Sequence, residues 1–165
     1  MRPNVPAWRL SAAALLLALA ALPAAAADKP CNDAGKVIDG VTTWAALAKA
    51  MHDYGHCDKG PTAEVFTEAI LRVIISGWPK IADAGPILDN DAAFKNWLAK
   101  RLSSPDLSPQ DTAEIRDLAK ASCPKGQDKV CGELLSSVEM GRAISSPDLL
   151  LLQPLTPAPA PAKKP

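Results

Sequence analysis

The densest run of chemically capable side chains is His52-Asp53-Tyr54-Gly55-His56-Cys57-Asp58. Two histidines four residues apart share one face of a helix, the spacing with which paired imidazoles take up zinc. With Asp58 as a third ligand, His52 and His56 would suit a metal-dependent hydrolase. Three details weigh against that chemistry. The acid after the first histidine is Asp53, whereas zinc peptidases of the His-Glu-x-x-His type carry the longer Glu, which reaches a metal-bound water better. Gly55 is a helix stop and would end the helix before His56. Cys57 is committed to sulfur if the chain works in an oxidising compartment. Histidines near a helix C-terminus also have a use without metal, because they interact favourably with the carbonyls and dipole there. The reading is no metal and no cofactor, with His52, His56 and Asp58 as the candidate ligands against it.

Other catalytic patterns are weaker. No serine sits in Gly-x-Ser-x-Gly, the strained turn that exposes a hydrolase nucleophile. Glu64 and Glu68 share a helix face, as a glycosidase pair could, but Arg72 follows Glu68 at the spacing of an ordinary surface ion pair. There is no glycine-rich phosphate loop, Cys-x-x-Cys-His or EF-hand pattern. No residue is assigned a catalytic role.

The four cysteines, Cys31, Cys57, Cys123 and Cys131, are an even set. In an exported chain that reads as two disulfides, and three pairings are open. The favoured one is Cys31–Cys57 with Cys123–Cys131, which closes two local loops at about 3.5 and about 2.5 kcal/mol in the chain-entropy model. A zinc site made of the same residues is the alternative, though no Cys-x-x-Cys pair occurs. Export itself is written at the start of the chain. Arg2 and Arg9 precede an Ala/Leu run over 10–22, and Ala24 to Ala27 supply an Ala-x-Ala cleavage site before Asp28. Residues 1–27 read as a signal peptide, so the expected location is the periplasm or the exterior, without stable membrane insertion after cleavage.

Charge narrows the partners. The whole chain balances 18 basic against 18 acidic residues. Setting aside Arg2, Arg9, Lys163 and Lys164 leaves 14 basic residues against 18 acidic over 28–153, a formal charge of −4. A mildly acidic domain with interspersed charge is a poor match for nucleic acid.

The elements that position these residues have helical spacing throughout. Trp44, Leu47, Ala48 and Met51 share a face, with Thr43 or Thr42 to cap the start. Pro61 opens a second helix whose broad face holds Val65, Phe66, Ala69, Ile70, Val73 and Ile74, closed at Gly77-Trp78-Pro79. A loop through Gly85-Pro86 leads to Asn90 or Asp91, capping a helix with Phe94, Trp97, Leu98, Arg101 and Leu102 facing the core. Ser108-Pro109-Gln110-Asp111 resembles a capping box with Asp in the Glu position, followed by Ile115, Leu118 and Ala119. The last long helix would turn Val130, Cys131, Leu134, Leu135, Val138 and Ile144 inward. Trp44, Trp78 and Trp97 read as core. Ser103-Ser104-Pro105-Asp106-Leu107 recurs at 145–149, each copy a helix stop. Residues 154–165 alternate Pro and Ala, which favours an extended, solvated tail.

The expectation is an all-α, disulfide-crosslinked bundle of about five helices over 28–153, between a signal peptide and a Pro/Ala/Lys tail. It is similar in architecture to small exported helical proteins that neutralise enzymes or assist envelope assembly, an analogy of fold and not of function. Lacking a catalytic constellation, the domain reads as a non-enzymatic binding module whose partner is another envelope or secreted protein. A carrier of a small apolar ligand, held between helices near the tryptophans, is the remaining alternative.

Overall fold

Side-chain oxygens set where the helices begin. In the computed structural model, which describes residues 29–145, Thr43 Oγ1 accepts from the Ala46 amide at 3.2 Å, Asp91 Oδ1 from Phe94 at 2.9 Å and Ser108 Oγ from Asp111 at 3.1 Å. Each satisfies an amide that has no partner inside its own helix. Among the described residues all regular structure is helical: α1 (Ala34–Asp39), α2 (Trp44–Tyr54), α3 (Pro61–Leu71), α4 (Ala84–Asn90), α5 (Ala92–Leu102), α6 (Pro109–Ala121) and α7 (Asp128–Ser145). The signal peptide and the tail lie outside the described residues. So does the second Ser-Ser-Pro-Asp-Leu copy, apart from Ser145.

The five expected helices are present, joined by two short ones. α1 and α4 have 6 and 7 residues, fewer than two turns, so neither repeats its apolar spacing often enough to be read. Gly85-Pro86, expected as a loop, lies inside the first turn of α4, where a missing proline N–H leaves no bond unmade. The β-branched run after α3 is helical too. Arg72–Ser76 forms a π-helical turn, with the Gly77 amide bonded to Arg72 O at 3.2 Å. Gly77 is required there, because a Cβ would stand 2.2 Å from Val73 O.

α6 and α5 both pack on α7, and α1 packs on α3. The core between them holds Phe66, Phe94, Ile38, Leu47, Ile70 and Ile115 in full burial. Each such side chain contributes about 1.5–3 kcal/mol through the area it removes from water. Trp44 and Trp78 are buried, as expected; Trp97 is half-buried, edge-on to Phe66 at 5.1 Å and stacked near Phe94 at 5.9 Å.

Ile144 is a correction: it is 66% exposed, not inward. At 100° per residue it lies about 90° around α7 from the face of Leu134 and Val138. Gly141 occupies the inward position instead, so close to α5 that an added Cβ would meet the Ser103 backbone at 2.8–2.9 Å. A second correction concerns Arg72. It does not pair with Glu68 but donates to Asp39 O at 2.6 Å and Val41 O at 3.1 Å, tying the α1–α2 connection to α3.

The two disulfides are Cys31–Cys57 and Cys123–Cys131. The first fastens the 3₁₀ turn Cys31–Asp33 to the turn Gly55–Cys57 after α2. The second joins the segment after α6 to the first turn of α7. Two such bonds accord with an oxidising compartment. No helix among the described residues is long and apolar enough to cross a membrane.

Candidate functional site

Gly55 ends α2, and the chain tightens into the 3₁₀ turn Gly55–Cys57. A 3₁₀ turn advances 120° per residue instead of 100°, so the helical alignment of His52 with His56 is lost. The three candidate ligands go to three different partners. His52 Nε2 meets Asp91 Oδ2 at 2.6 Å. His56 Nε2 lies 3.2 Å from Cys57 Sγ. Asp58 turns inward, where its Oδ2 accepts from Trp97 Nε1 at 2.8 Å. Among the described residues one group brings three potential donors within 4.8 Å of one another, Cys31, His56 and Cys57, and its two sulfurs are bonded to each other.

Asp58 belongs to a partly completed polar network under α3 and α5. Arg101, with a side chain 11% exposed, faces Asp58 Oδ1 at 3.6 Å and donates to Ala63 O at 2.7 Å and to Thr67 Oγ1. Asp58 Oδ1 and Arg101 Nε are buried without hydrogen-bond partners, so the pair is held more by charge than by hydrogen bonds. The sequence places Arg101 on the inward face but contains no signal that its partner lies 43 positions earlier. On the outer side of this pair is a polar recess of about 590 Å³ bordered by Glu64, Glu68, Arg101 and Asp106.

A second concavity lies elsewhere. A groove of about 670 Å³ runs between α5 and α7. Its floor is Leu88, Leu98, Leu102 and Leu134, all buried. Its α7 wall exposes Gly132, Ser136 and Met140 at every fourth position, and an ion pair from Lys95 of α5 to Glu133 of α7 at 2.5 Å borders it. No protein-family model matches the chain, and neither do the curated proteins or the solved structures. Sequence reasoning missed the groove, because Gly132 and Ser136 read as the solvated side of α7. Their regular spacing with Met140, 58% exposed, was the available signal.

Electrostatics around the histidine segment is local. Hydrogen bonds from Lys29 and Lys49 hold the Asp53 carboxyl below its ordinary range. The Phe94 amide first, and then His52, do the same for Asp91. Since the Asp91 carboxyl ionises more readily in the folded chain than in the unfolded one, its contribution is complete above the unfolded value. It is lost as pH falls through the folded value, below about pH 4. His52 is more than half exposed, and exposed ion pairs contribute about 0–1 kcal/mol. A variant carrying His52→Ala and His56→Ala should therefore lose about 1 kcal/mol or less in a urea titration. Purified parent protein should carry no stoichiometric zinc; one zinc per chain that disappears in the variant would reinstate the hydrolase.

Proposed function

We propose that this chain is an exported, non-enzymatic binding module, of the inhibitor, immunity or envelope-accessory kind, working in the periplasm or outside the cell. Its α5–α7 groove takes an amphipathic helix from another envelope or secreted protein. The groove carries this reading: an apolar floor beneath a wall of small residues matches the way an apolar helix face lies in a trough. From Asp128 to Met140 the α7 wall runs about 18 Å, room for about three turns of a partner helix. Gly132 and Ser136 let a second backbone come close. The candidate metal ligands His52 and Asp58 fit the non-enzymatic half, since they are engaged by Asp91 and by Trp97 with Arg101.

The same floor admits a second reading, carriage of a small apolar ligand, because the volume falls in the ordinary range for such sites, about 300–1,000 Å³. The exposed wall favours the protein partner, as it would leave much of a small ligand in water. Photocrosslinking separates the two. A photoreactive residue at Ser136, in the native host, should give one or a few discrete protein adducts, while the same residue at Lys80 on the surface away from the groove gives none. Gly132→Arg should abolish the Ser136 adducts. Equal labelling at both positions would refute the groove as the binding surface. A co-purifying apolar molecule in native mass spectrometry, displaced by Gly132→Arg, would establish the carrier instead.

A further inference from the structure

The two disulfides have unlike surroundings. Cys31 is exposed, whereas its partner Cys57 is 2% exposed. His56 Nε2 stands 3.2 Å from the inner sulfur, and the imidazole and both sulfurs lie within 4.8 Å of one another. The second bond has neither feature. Cys123 is half-buried and Cys131 is 3% exposed. The chain's two histidines are His52, paired with Asp91, and His56. Cys123 Sγ lies 3.8 Å from a carbonyl oxygen, Pro124 O, which disfavours negative charge on that sulfur.

Thiol–disulfide exchange is fast where one sulfur is open to an attacking thiolate and the other leaves as a stabilised thiolate. In Cys31–Cys57, Cys31 is the exposed residue, and His56 Nε2 stands beside the inner sulfur to offset the cost of charge there. We propose that this disulfide is an exchange site at which an external thiol forms a mixed disulfide with Cys31, Cys57 is the leaving group, and His56 supports the departing charge.

The step balances. The thiolate R–S⁻ attacks Cys31 Sγ on the side opposite Cys57. The new S–S bond joins R to Cys31, the Cys31–Cys57 bond breaks, and its electron pair leaves on Cys57 Sγ. That thiolate accepts a hydrogen bond from His56 Nε2–H and then takes a proton from water. A second thiolate attacking the R sulfur would release Cys31 and R–S–S–R, so two thiols supply the two electrons that reduce the cystine. This inference is independent of the groove, and its failure would leave that reading as it stands.

The test treats the oxidised, signal-free chain with glutathione, quenches with acid and an alkylating reagent, and maps each cysteine by peptide mass spectrometry. Cys31 should carry glutathione with Cys57 alkylated, at a rate about tenfold above any change at Cys123 or Cys131. His56→Phe removes the N–H donor and should slow the Cys31 reaction about tenfold, while the second disulfide keeps its rate. His56→Gln keeps an N–H near the same place and should stay within about threefold of the parent. Because His56 is exposed, both variants should fold, which far-ultraviolet circular dichroism checks. Equal rates at the two disulfides, glutathione on Cys57 in place of Cys31, or a His56→Phe variant as fast as the parent would each overturn the proposal.

Discussion

Replacing Cys31 by Ser and Cys57 by Ala together should lower the melting temperature by about 14 °C. The bond spans 26 positions, and the chain-entropy model assigns a loop of that size about 3.5 kcal/mol. Total stabilities of domains are about 5–15 kcal/mol, and each kcal/mol moves the midpoint of a domain of this size by about 4 °C. The loss has a local address. The disulfide anchors the turn that leads into α1, and α1 has only 6 residues, too few to persist unless packed. Its Ala34 and Ile38 are fully buried, and the helix lies on α3. Freed at its N-terminal end, α1 should fray first, so amide exchange should accelerate there before the rest unfolds. The shorter loop, Cys123–Cys131, should cost about 2.5 kcal/mol, roughly 10 °C, when removed the same way. A Cys31/Cys57 variant that melts with the parent in circular dichroism would show that packing alone holds the N-terminal segment.

Asp58→Ala, just beyond the turn after α2, should cost about 3 kcal/mol. It leaves Trp97 Nε1 without its acceptor and Arg101 without the carboxylate it faces, both largely out of water. Removing one partner of a desolvated charge pair costs far more than the pair contributes, because the remaining charge stays buried. Asp58→Asn tests the division: it keeps an acceptor for Trp97 but removes the charge that faces Arg101, and should cost more than half as much. A double variant adding Arg101→Leu should lose less than the sum of its single losses, since neither group is then left alone. Chemical denaturation measures all four chains. If Asp58→Asn costs nothing measurable, the network is not an electrostatic unit.

Helix starts were legible because their causes lie within three residues. Thr43, Asp91 and Ser108 each satisfy an amide two or three positions ahead, and Pro61 and Pro109 stand where a missing amide leaves nothing unbonded. The apolar periodicity of α2, α3, α5 and α6 was legible for the same reason, as was the local cysteine pairing. α1 and α4 were not, because six or seven residues do not complete two turns. Ile144 was misread because it continues the apolar run of α7 in composition while falling off the buried face in angle.

The candidate site divides along the same line. The residues His52, His56, Cys57 and Asp58 could be singled out from their types and spacing, as could an all-helical, crosslinked domain. Which of them meet was decided by packing across 39 or more positions. His52 goes to Asp91, Asp58 goes to Trp97 and Arg101, and Trp78 Nε1 goes to Ser122 O at 2.9 Å. None of these pairs has a periodic signature, because a contact between two helices depends on how their axes cross and not on the residues between them. The α5–α7 groove follows the same rule: its floor comes from leucines of three helices and its open wall from Gly132 and Ser136. Local sequence determined the helices, their caps and the crosslinks, since each depends on residues close along the chain. The tertiary structure decided the polar network, the groove and the unlike exposure of the two disulfides, since each depends on which faces of distant helices come to lie together.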